Sequence, residues 1–307
     1  MLQIVLLLFG FILMLLQYFI QPFSSAQQLY IFLSGIIILG VPHGAADLLV
    51  AMQNAGSGKK TFSKISFFKT YLGRLVLFAA ALWFFPILGI TLFILFAAYH
   101  FGETDLHHCK TDTVLGKMLV TAYGLVILGV LLLVHLDEVK PILQILQPGL
   151  ESAGIFNLVE SQRTIIVAIS GVSFMLISAT YHLYYKIAFQ KKDVLFLFRF
   201  GLILIIIFNL PLIMGFSFYF IVWHSVLSMT NIFQYLRRDN LIPFISIVKQ
   251  IGLYSLLAMG GILLIGLTGI MFLNSNTLIG YVFMGLAVLT APHMQVMHDM
   301  YNKIRAN

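Results

Sequence analysis

Four histidines of this chain lie inside long apolar stretches, each in a short polar interruption. They are His43 in Gly40-Val41-Pro42-His43-Gly44-Ala45-Ala46-Asp47, His100 in Tyr99-His100-Phe101-Gly102-Glu103, His224 in Trp223-His224-Ser225, and His293 in Pro292-His293-Met294. An ionisable group within a membrane helix is costly and marks a functional site by default. Neutral imidazole is also the commonest metal ligand. Counted from the outer end of each stretch, the four fall roughly 10 to 15 residues in, at about 1.5 Å per residue, which puts them in one layer near the bilayer midplane. Scattered histidines need not share a depth, so the pattern predicts a metal site at His43, His100, His224 and His293. Each taken singly has a plainer reading, as a hydrogen-bonded packing residue, and Pro292-His293 could be a structural kink.

Two carboxylates accompany them. Asp47 is four residues after His43 and Glu103 three after His100, each on the same helix face as its histidine. A ligating histidine usually donates its other N–H to a carboxylate or carbonyl, so Asp47 and Glu103 are the expected supports, although spacing does not assign acid to imidazole. Imidazole suits iron, zinc, copper and nickel alike. The apolar setting favours a lipophilic substrate with dissolved oxygen, which selects Fe(II), and four imidazoles leave two octahedral positions open. The remaining histidines, His107, His108, His135, His182 and His298, fall near helix ends and are expected to be structural.

The elements that must carry these residues are membrane helices. Of 307 residues 60% are hydrophobic and 9% charged, and the mean hydropathy is +0.99. Apolar stretches of about 20 residues, enough to cross a bilayer, follow one another almost end to end. Backbone groups at that depth must be satisfied within the segment, and no barrel-like alternation is visible, so the fold class is all-α, a polytopic transmembrane helical bundle. The sequence divides into spans at 2–21, 29–53, 68–86, 88–108, 115–136, 164–189, 194–210, 212–236, 246–272 and 277–301. The divisions at Pro86 and Pro211 are the least distinct, since only a tight turn separates the apolar runs there. The first stretch has no basic n-region and no small-residue cleavage site, and reads as a retained helix.

Orientation follows from the basic residues. Lys59, Lys60, Lys64 and Lys69, then Lys186, Lys191 and Lys192, then Arg237 and Arg238, and finally Lys303 and Arg305 all fall on one side. Connections on the other side are uncharged (21–28 and 274–276) or acidic (137–163). Both termini are therefore expected in the cytoplasm, and all four histidine helices run inward. The 137–163 loop, with Pro141, Pro148 and Gly149, should hold a short surface helix. The chain is expected to form a single integral membrane domain over 1–307, in the cell inner membrane. The net charge of +7 belongs to the inner loops and implies no nucleic-acid partner, and the single cysteine, Cys109, excludes an internal disulfide and a Cys-based zinc site.

At Pro42-His43-Gly44 with Asp47, His100-Phe101-Gly102-Glu103, Trp223-His224-Ser225 and Pro292-His293-Met294, the sequence resembles the Brp/Blh family of bacterial and archaeal membrane β-carotene 15,15′-dioxygenases. The likeness extends over nearly the whole chain in size and hydropathy. It implies cleavage of the central double bond of β-carotene with O2 to two molecules of all-trans-retinal, iron held by His43, His100 and His224, and a functional link to a retinal-binding rhodopsin. Many members of that family carry a further histidine four residues after the Trp-His-Ser one; here that position is Ser228. Either His293 completes the site, or the centre has three histidines, or the activity is altered; His293 is the expected fourth ligand. Aromatic residues before His224 (Phe216, Phe218, Tyr219, Phe220 and Trp223) would suit the wall of a polyene site. A membrane di-iron desaturase or hydroxylase fits less well, because His100 and His107-His108 are too far apart for its histidine boxes. An ion-coupled transporter using Asp47 and Glu103 as a relay is the non-enzymatic alternative.

Overall fold

The computed structural model describes residues 1–56, 62–146, 154–238, 243–270 and 278–306. Lys59, Lys60, Pro148, Gly149, Glu151 and the 274–276 turn lie outside the described residues. Among the described residues the structure is all helix. The helices are α1 (Leu2–Ile20), α2 (Ser25–Gly56), α3 (Lys64–Phe84), α4 (Pro86–Asp105), α5 (Val114–Val134), α6 (Leu136–Leu146), α7 (Gly154–Ser161), α8 (Arg163–Tyr184), α9 (Lys191–Asn209), α10 (Leu212–Leu236), α11 (Phe244–Ile270) and α12 (Leu278–Arg305).

Seven of these, α1, α2, α3, α4, α5, α8 and α10, are long and apolar enough to cross a membrane. The three other expected spans coincide with α9, whose first turns carry Lys191, Lys192 and Asp193, with α11, and with α12, which ends on Lys303 and Arg305. The 137–163 segment holds two short helices, α6 and α7, where one was expected. An ion pair from Lys140 to Glu160 ties α6 to α7, and one from Arg163 to Asp137 ties α6 to the start of α8.

Local chemistry explains the breaks. Pro86 opens α4, where its missing N–H costs nothing, and Phe85 before it leaves the helical region. Pro211 caps α10, and Leu210 before it is extended, as a residue preceding proline prefers. Ser24, Ser63 and Thr113 accept backbone N–H groups at the starts of α2, α3 and α5.

The helices α2, α10, α4 and α12 form a closed ring, each packed on the next. α5 backs α4 at very short range: a Cβ on Gly102 would lie 1.8 Å from the Val120 carbonyl oxygen, and one on Gly124 would lie 2.0 Å from that of Ala98. Small residues allow such backbone approach between membrane helices. α3 and α8 are peripheral and turn Leu72, Val76, Leu77 and Trp83, and Ile165, Ile169, Val172 and Leu176, outward. An apolar surface of this extent belongs in lipid.

Candidate metal centre

Each helix of the ring contributes one histidine. α2 winds as a π-helix over Ile36–Gly40, immediately before Pro42 and His43. α10 winds as a π-helix over Ser217–Ser225, which contains His224. Such turns are rare and recur at functional sites, because they shift the side chains beyond them out of the α-helical register. His100 lies on the stretch of α4 held against α5, and His293 follows Pro292 inside α12.

All four imidazoles are buried. Coordinating nitrogens of His43, His100 and His224 lie within 4.8 Å of one another, so these three could hold a metal ion. His293 lies against one side of this group: its Nε2 is 2.8 Å from Nε2 of His43, and its ring lies 4.9 Å from that of His100. Nε2 of His224 is 3.0 Å from Nε2 of His100. Two nitrogens each about 2.0–2.1 Å from one ion, at a right angle, are about 2.9 Å apart. The observed separations match that edge length. Nδ1 of His43, His100 and His224 has no hydrogen-bond partner among the described residues, so no neighbouring group supports these three imidazoles from behind.

His293 has such support. Its Nδ1 is 2.7 Å from Oδ1 of Asp47, whose other oxygen accepts a 2.9 Å hydrogen bond from the Tyr71 hydroxyl of α3. A proton on Nδ1, donated to the carboxylate, leaves the Nε2 lone pair facing the other histidines. Asp47 thus contacts the histidine of α12, not His43 on its own helix. Glu103 touches none of the four: it bonds His298 and Arg305 of α12 and Tyr99. Ser228 is fully buried one turn beyond His224, and its hydroxyl faces Tyr301 of α12.

The other histidines sit where a structural role places them. His135 bonds the Ile207 carbonyl, His182 that of Ser178, and His107 that of Thr104. His298 is the exception in interest, through its contact with Glu103. Sequence reasoning missed Tyr71 and Asp105. Asp105 accepts from Tyr123 at 2.9 Å and from the indole N–H of Trp223 at 3.0 Å, fastening the end of α4 to the residue beside His224. Its position five residues after His100 was the available signal; for Tyr71 the sequence offers none.

A family model described as Beta-carotene 15,15′-dioxygenase matches residues 34–301, a stretch that contains all four histidines. The chain belongs to this family. It is a β-carotene 15,15′-dioxygenase family member built as a membrane helical bundle, and the family is one of oxygenase enzymes. A curated protein named Beta-carotene 15,15′-dioxygenase, from uncultured marine bacterium 66A03, is 26% identical over 274 residues, covering 84% of this chain and 89% of its own length. No solved structure matches the chain.

Proposed function

We propose that this protein cleaves the central double bond of β-carotene with O2, giving two molecules of all-trans-retinal, at an iron ion held by His43, His100, His224 and His293. The observation that carries the reading is the pair of nitrogen contacts, 2.8 and 3.0 Å, that gather imidazoles from four separate helices within a chain of the dioxygenase family. The donor set is all imidazole; Cys109, the single thiol, lies in the apolar core with Leu106 and Leu119. Zinc suits imidazole too but has no redox chemistry, and an oxygenase needs an ion that does. Bound there, Fe(II) supplies the means to activate O2.

The chain's own residues supply the rest. Asp47 and Tyr71 fix the His293 tautomer, and Asp105 with Trp223 holds α10 against α4 so that His224 meets His100. An aromatic column leads away from the site. Phe220 stacks near-parallel on His224 (6.0 Å, 13°), and Phe216 on Phe220 (5.2 Å, 25°). Phe216 in turn meets Phe32 of α2 and Phe283 of α12. This apolar wall suits half of a long polyene, and it excludes water from the double bond. A hydrocarbon dissolved in the membrane reaches such a wall sideways between helices, and retinal leaves the same way, toward a rhodopsin. Placement as one unit in the inner membrane accords with that supply.

The test is expression in a carotene-producing host. Loss of orange colour and recovery of retinal, in place of shorter or longer apocarotenals, are expected. Colour retained with the protein present and iron-loaded would overturn the reading.

A further inference from the structure

Glu103 is completely buried, and its two oxygens are treated very differently. Oε1 is crowded by three partners: His298 Nδ1 at 2.9 Å, Arg305 Nη2 at 2.8 Å and the Tyr99 hydroxyl at 3.3 Å. Oε2 has none. Arg305 mirrors this, with Nη2 bonded and Nη1 buried without a partner. A guanidinium and a carboxylate locked together for structure pair bidentately and satisfy both forks. Here each leaves one fork empty, so the arginine neutralises a buried charge without filling the place.

The cluster lies on the same two helices as two of the four histidines, nearer their C-terminal ends. Glu103 lies one turn beyond His100 on α4, and His298 five residues beyond His293 on α12, both toward the end of the bundle marked by Lys303 and Arg305. The cluster opens outward: His298 is partly exposed and bonds Asn302, which is exposed. A divalent cation bound for four buried imidazoles arrives from water, and a buried carboxylate oxygen with no partner among the described residues is a group that can hold it.

We propose that Glu103 and His298 form a loading site for a divalent transition-metal ion on its way to the four histidines, a role that rests on the metal reading above. Oε2 of Glu103 is a ready anionic ligand. His298 Nδ1, which also lies 3.1 Å from the Tyr99 hydroxyl, becomes a second when its proton sits on Nε2 instead, donated to the Asn302 carbonyl oxygen. That oxygen accepts from Arg305 Nη2 until the amide turns over and the arginine leaves, and no net proton is gained or lost. Arg305, at the very end of α12, swings toward solvent as the cation takes its place and returns once the ion has moved inward. Arginine and metal ion are mutually exclusive occupants.

The experiment follows Co(II) uptake by chelator-stripped protein in detergent, read from the visible absorption of the ion. Glu103→Gln, which removes the focusing charge, and His298→Gln, which removes the second ligand, should each slow uptake by about ten-fold or more. Arg305→Gln should accelerate it. The final Co(II) content should match wild type in all three, and Glu103→Asp should restore much of the rate. Acceleration by Arg305→Gln is the decisive sign, because general damage to the fold slows uptake. Unchanged rates in Glu103→Gln and His298→Gln, or an endpoint that stays low after prolonged incubation, would overturn the loading role. Wild-type protein that takes up no metal would overturn the four-histidine reading itself, an outcome distinct from both.

Discussion

His43 meets His293 at 2.8 Å and His100 meets His224 at 3.0 Å, so without a metal each pair must share a proton between two facing nitrogens. Removing one member strands its partner in an apolar interior, at a cost of about 1–3 kcal/mol. Replacing His43, His100 or His224 with Ala should therefore abolish both bound iron and carotene cleavage; wild-type iron content in His100→Ala would refute the assignment. The fourth position is decided by comparing two variants. His293→Ala should lose iron and retinal formation, whereas Ser228→Ala should keep both, because a neutral hydroxyl is a poor ligand beside imidazole. The opposite pattern would transfer the role to Ser228. Asp47→Asn should weaken metal affinity about 10–100-fold, the usual cost of disturbing a ligand's support. Tyr71→Phe, which leaves the carboxylate but removes one of its donors, should fall short of that loss in a chelator titration. An equal or larger loss would mean that Tyr71 acts by more than orienting Asp47.

At the scale of the element, two devices bring the imidazoles together. One is the π-helical winding of α2 and α10, which puts Phe216, Phe220 and His224 in one stack and turns His43 inward just after Ile36–Gly40. The other is the backbone contact of α4 with α5. Gly102 faces the Val120 carbonyl, a rigid neighbour, so an added methyl must push the helices apart. Overpacking of this kind costs about 1–3 kcal/mol. Gly102→Ala should lower thermal stability and, by moving His100 off His224, reduce iron content as well. Gly171→Ala on α8, where a Cβ meets nothing within 4 Å, is the control and should change neither. Iron content that stays at wild-type level in a destabilised Gly102→Ala protein would separate the helix contact from the site.

At the scale of the whole molecule, the number of crossings is the open measurement. Seven of the described helices satisfy length and hydropathy, and the ten crossings expected from sequence require α9, α11 and α12 to cross as well. Ten crossings put both termini on one side of the membrane, and seven put them on opposite sides. Reporters fused to each terminus should both report the cytoplasm, in keeping with Lys303 and Arg305 at the end of α12 and the basic loops before it. A C-terminal reporter active outside the cell would refute the ten-span arrangement.

Much was legible in the residues alone. Hydropathy and length determine membrane helices, because a bilayer demands internally satisfied backbone over a fixed thickness. The cost of polar groups at that depth singled out His43, His100, His224 and His293 before any contact was known. The prolines at 86 and 211 placed the two least distinct turns correctly, since proline restricts the residue before it wherever it stands. What sequence did not reveal was partnership. Asp47 shares a helix with His43 yet bonds His293, and Glu103 shares one with His100 yet bonds His298 and Arg305. Periodicity specifies which face of a helix a side chain occupies, but which neighbour that face meets depends on helix order, rotation and the π-turns that reset the register. Those follow from packing across the ring of α2, α10, α4 and α12, between residues as many as 250 positions apart, and only the tertiary structure decides them.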